Sequence, residues 1–111
     1  MKFAIPTVSG KLCEHFGHCE KFAVLETENN KVVSENMVAP PASHEPGVYP
    51  QFLAQLGVEV IIAGGMGQRA IDAFTDNKIK VFSGVNPDFP EKLVVNYLNN
   101  QLDGGVNLCD H

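Results

Sequence analysis

A chain of 111 residues with a net charge of −5 and a sequence pI near 5.2 has no electrostatic footprint for nucleic acid. Its eight Lys and Arg residues are spread singly, Arg69 is the only arginine, and there is no basic run or interleaved aromatic platform. At 44% hydrophobic and 19% charged it can bury a real core, so one domain spanning 1–111 is expected. The longest apolar stretch, Val60 to Met66, falls far short of the roughly 20 residues a membrane helix needs. The apolar run at Met1–Pro6 is too short for a secretion signal, and three cysteines, an odd count, argue against a disulfide framework, so a cytoplasmic setting is expected.

Lys2 to Thr7 reads as a first strand, with Pro6 at or near its end because proline donates nothing to a sheet ladder. A loop rich in Ser, Gly and Lys follows. Lys21 to Thr27 and Lys31 to Val38 are β-rich runs joined through Glu28-Asn29-Asn30, a hairpin signal. Ala39 to Pro50 holds Pro40, Pro41, Pro46 and Pro50 and reads as a stiff loop. Tyr49, Phe52, Leu53 and Leu56 then recur at helical spacing up to Gly57. Val58 to Ala63 is the nearly continuous apolar run of a buried parallel strand. Gly64-Gly65-Met66-Gly67 turns into a helix through Ala70, Ile71 and Phe74, and Ile79 to Ser83 is the next strand. Pro90 opens a last helix that is expected to end near Leu102. Strand, hairpin pair, then helix and strand in alternation is the order of an α/β sheet with a parallel part and an antiparallel edge.

The chemistry concentrates in one heptapeptide. Of the seven Cys and His residues, four lie in Cys13-Glu14-His15-Phe16-Gly17-His18-Cys19; the others are His44 in the proline-rich loop and Cys109 and His111 at the C-terminal end of the sequence. Thiolate sulfur and imidazole nitrogen are the donors that hold zinc, copper, iron and iron–sulfur clusters. The spacing does not match the CxxC pairs of a zinc ribbon, so two or three of Cys13, His15, His18 and Cys19 are expected to face a site completed from elsewhere. Gly17 permits a sharp turn, and Phe16 is expected to shield the site. His44 is expected at the same sheet edge, outside the carboxyl ends of the parallel strands. Gly65, Gly67 and Arg69 offer amides and a cation at a helix N-terminus, a setting suited to an anion; a tight turn for packing is the equal alternative. The tail carrying Cys109 and His111 either closes over a bound group or frays. Nothing resembles a Ser/His/Asp elbow, a HExxH motif or a two-metal carboxylate cluster.

His15-Phe16-Gly17-His18-Cys19-Glu20-Lys21-Phe22 resembles the HFG segment of the dinitrogenase iron–molybdenum cofactor biosynthesis family. Gly57 to Gly67, with Arg69-Ala70-Ile71 behind it, is similar to that family's second block, and the resemblance spans nearly the whole chain. It implies a small stand-alone member with a ribonuclease-H-like α/β fold: a mixed five-stranded sheet, its second strand antiparallel, flanked by helices. It also implies noncovalent carriage of an anionic metal–sulfur cluster, of iron–molybdenum, iron–sulfur or molybdenum–copper type, without catalysis. Donors are expected from the HFG segment and the His44 loop, and the partners are cluster assembly or acceptor proteins. The rival readings are a single zinc or iron in a structural or sensory site, and a redox protein that uses a bound cluster.

Overall fold

The structure, a computed structural model, describes residues 1–16, 19–42 and 47–102. Among them the elements run β1 (Lys2–Val8), β2 (Lys11–Leu12), β3 (Lys21–Glu28), β4 (Lys31–Val38), α1 (Val48–Gln55), β5 (Val60–Ile62), α2 (Gln68–Asp76), β6 (Lys80–Phe82) and α3 (Pro90–Leu98). The main sheet has the order β4-β3-β1-β5-β6. β5 lies parallel to β1 and to β6, and β3 lies antiparallel to both β1 and β4. This is the expected α/β ribonuclease-H-like sheet with an antiparallel second strand. It carries one strand more than expected, since β2 pairs antiparallel with the end of β1.

β1 explains much of this arrangement. Flanked on both sides, it buries Phe3, Ala4, Ile5, Pro6 and Thr7 in succession, as a central strand must. Pro6 lies near the end of the strand, two residues before Val8. Its carbonyl accepts from the Cys13 amide at 2.9 Å, so its nitrogen also faces the side where β1 exchanges β5 for β2 as neighbour. A missing donor is tolerated at that changeover. The β3–β4 turn places Asn29 and Asn30 at φ 52° and 62°, the left-handed pair of a two-residue hairpin.

Alternation along the strands divides the interior into two layers. Ala4, Phe22, Val24 and Ile61 face α1 and α2, where Leu53 and Phe74 are fully buried. Phe3, Ile5, Leu25, Val60 and Ile62 face α3, which contributes Leu93 and Val94. α1 stops because Gly57 takes φ 86°, and the Gly57 and Val58 amides then close on Ala54 and Leu53 carbonyls at 3.0 and 3.1 Å. α3 ends by the same device at Asn100 (φ 57°), whose amide returns to Tyr97 at 3.1 Å. It therefore finishes at Leu98, short of the expected Leu102, because asparagine adopts the left-handed conformation at a modest cost.

Phe74 is 0% exposed at the centre of the first layer. Phe74→Ala is expected to cost about 3–5 kcal/mol in urea unfolding, by lost transfer energy and the cavity left behind. A loss under about 1 kcal/mol would mean that the layer collapses around the gap.

Candidate functional site

Three loops leave the carboxyl ends of β1, β5 and β6 and interlock through their backbones. The loop after β1 turns at Ser9 and Gly10, returns as β2, and is tied down when the Leu12 amide donates to the Asp88 carbonyl at 3.0 Å. Beyond β2 the chain runs beside the glycine turn that follows β5. The Gly65 amide donates to the Glu14 carbonyl at 2.6 Å, and the Phe16 amide donates to the Gly65 carbonyl at 3.1 Å. Together they make a parallel bridge between His15 and Gly65. The loop after β6 closes on the same turn, with the Gly84 and Val85 amides on the Gly64 and Ala63 carbonyls at 2.9 and 3.1 Å. Two segments remote in sequence, the Cys/His loop and the glycine turn, thereby become neighbours.

Phe16 fixes the far end of this loop. Its ring lies 5.4 Å from Phe74 and 5.7 Å from Tyr49, edge to face, and 6.2 Å from Phe22. Phe16 is half-buried and packs against the first core layer, which anchors this end of the loop. His15, the residue before it, is exposed, with Nδ1 close to Gly65. Cys13 is buried, and its thiol donates to the His15 carbonyl at 3.2 Å. Cys19 is half-buried against the same layer.

Burial pushes the Cys13 thiol above its ordinary value. Burial does the same to Cys19, with the nearby Cys13 adding to the effect, and the Cys19 thiol is pushed up to about 11. The Tyr49 phenol is raised too, by burial first and then by the charge Cys19 would carry. Both thiols are therefore protonated at neutral pH, and a soft metal binding there must displace protons.

The expected site residues are placed as follows. Cys13, His15, Cys19 and Gly65 meet at one sheet edge. The Gly65 amide is engaged by Glu14, so it docks the loop and does not present a donor to a ligand. Gly67 caps α2, and Arg69 stands exposed in its first turn. Gly17, His18, His44, Cys109 and His111 lie outside the described residues. Among the described residues no group of three or more His, Cys, Asp or Glu side chains is assembled to hold a metal ion. Asp88 accepts from the Phe89 amide at 2.8 Å and pairs with Lys92 at 3.6 Å. From the sequence, Gly64 reads only as part of the strand-to-helix turn, and Tyr49 only as a position on the apolar face of α1. The Gly64-Gly65 doublet was the available signal for the first, and nothing marked the second.

The sequence matches the family model described as dinitrogenase iron–molybdenum cofactor over residues 1–100. It is 33% identical over 86 residues to the uncharacterized protein MJ0580 of Methanocaldococcus jannaschii, covering 74% of this chain and 73% of that one. Among solved structures it is similar to that of PH0822, at TM-score 0.83 and 27% identity, covering 94% and 96% of the two chains. The apo form of the orange protein from Desulfovibrio gigas shares the fold, at TM-score 0.77 and 23% identity, covering 96% and 93%. With both sequence blocks, the sheet order and these likenesses in agreement, the chain belongs to the dinitrogenase iron–molybdenum cofactor family, whose members bind metal clusters.

Proposed function

We propose that this protein binds and carries an anionic metal–sulfur cluster, with residues 1–111 acting as one cluster-binding domain and no catalytic turnover. One observation carries the reading: the His15–Gly65 bridge holds a thiol- and imidazole-bearing loop against the turn that leads into α2. Cys13, His15 and Cys19 are the described donors, and His18, His44, Cys109 and His111 are the further candidates. Soft sulfur and borderline nitrogen suit iron, copper and molybdenum–sulfide cargo. The first-turn amides of α2 and Arg69 suit its negative charge. The cargo, of iron–sulfur, iron–molybdenum or molybdenum–copper type, passes to assembly or acceptor proteins in the cytoplasm. No described helix is long and apolar enough to cross a membrane.

The test is anaerobic reconstitution in three separate arms: ferrous iron with sulfide, tetrathiomolybdate with copper(I), and zinc alone. A visible chromophore that survives gel filtration, with several metals and sulfide per chain, is the expected result. One tightly held zinc per chain, with neither sulfide arm retained, would replace this reading with a single-metal site.

A further inference from the structure

We propose that Gly64 is a positioning residue of the cargo site, the point on which the donor loop is seated; this rests on the cluster-binding reading above. The requirement is steric. A side chain at Gly64 would place its Cβ 2.7 Å from the Glu14 carbonyl oxygen and 2.9 Å from that of Cys13. Real Cβ atoms essentially never show such distances, and both obstacles are backbone, so the loop must move. Gly64 cannot yield instead, because its own carbonyl is held by the Gly84 amide at 2.9 Å and it follows directly on buried Ala63. The strain therefore falls on the Cys13–Phe16 segment, whose seat consists of the two Gly65 hydrogen bonds, the Cys13 amide bond to Pro6 and the buried edge of Phe16.

The same geometry separates three glycines that look alike in sequence. A Cβ at Gly65 would come within 3.1 Å of the Glu14 oxygen and 3.5 Å of His15 Nδ1, a milder crowding at the same seat. At Gly67 it would meet nothing within 4 Å, and the backbone there, at φ −70°, is open to any residue. The glycine that matters for anion approach to α2 would be Gly67; the one that matters for donor placement is Gly64. Since donors must be held to within a fraction of an ångström to act together, a displaced loop is expected to lose cargo while the sheet survives.

The experiment compares Gly64→Ala, Gly65→Ala and Gly67→Ala with the parent chain. The cargo-free proteins are compared by amide exchange at Phe16 and Gly65, and the loaded ones by release of an iron–sulfide cluster to a chelator. Gly64→Ala is expected to speed exchange at both amides at least tenfold and cluster release by a similar factor, with the far-ultraviolet spectrum unchanged. Gly67→Ala is expected to leave exchange at both amides at the parental rate, because a Cβ there meets nothing within 4 Å. Parental exchange rates in Gly64→Ala would overturn the proposal, as would equal release rates from a protein whose amides had loosened. If Gly64→Ala fails to fold, Gly65→Ala carries the same test with a smaller effect, and parental rates there overturn it. If the parent chain retains no iron–sulfide cluster, the functional reading fails while the exchange arm still decides whether Gly64 seats the loop.

Discussion

Replacing Cys13 and Cys19 together by alanine is expected to abolish retention of an iron–sulfide cluster while the protein stays folded. The separation of the two effects follows from where the thiols sit. Cys13 is buried, but its sulfur donates only a weak hydrogen bond to the His15 carbonyl among the described residues, and the loop is held elsewhere by backbone bonds and by Phe16. Removing that weak bond and a small apolar contact costs on the order of 1 kcal/mol. Cys19 is half-buried at the margin of the first core layer, so its loss is no more expensive. Ligand loss, in contrast, removes the metal–sulfur coordination bonds outright. Metal and sulfide analysis after gel filtration, beside urea unfolding of the cargo-free variant, reads both quantities. A double variant that keeps its cluster would remove the cysteines from the ligand set. One that unfolds without cargo would make them core residues and nothing more.

The fold was legible in the sequence to the extent that local pattern decides it. The β-rich runs at Lys2–Thr7 and Lys21–Thr27, the apolar run at Val58–Ala63 and the Asn-Asn turn each have one comfortable conformation, and each appears where expected. β2 escaped notice because two residues carry no periodicity; it exists only because Ser9 and Gly10 turn the chain back beside β1. The end of α3 was misjudged because Leu98 and Leu102 continue the apolar spacing, whereas Asn100 terminates the hydrogen-bond ladder. For the site, the heptapeptide stands out in the sequence by composition alone. Composition could not show that Phe16 is an anchor, or that the Gly65 amide is spent on Glu14, since both depend on a partner distant in the chain. Family resemblance supplied the sheet and named the two blocks. The contact between them is a backbone register, marked in the sequence only by the Gly64-Gly65 doublet.

Cluster affinity is expected to rise steeply with pH across the neutral range, by about tenfold per pH unit for every thiol that becomes a ligand. The cause is that both thiols hold their protons in the cargo-free protein. Burial raises Cys13, and burial with the neighbouring Cys13 takes Cys19 to about 11, so each ligating sulfur releases one proton well beyond pH 8. The cargo-free protein carries the opposite dependence. A folded-state pKa above the unfolded one means that the native chain binds the proton more tightly, so this stabilisation is complete below the ordinary cysteine value near 8.5. It is then lost as pH rises toward the Cys19 value of about 11. Alkaline conditions therefore favour the loaded protein over the empty one by removing the protons that compete with the metal, and separately lower the stability of the empty fold. Cys19→Ala should lower the slope of log affinity against pH by one between pH 7 and about 8.5, and flatten the fall in cargo-free melting temperature above it. An unchanged slope in Cys19→Ala would show that Cys19 surrenders no proton to the metal and is not a ligand.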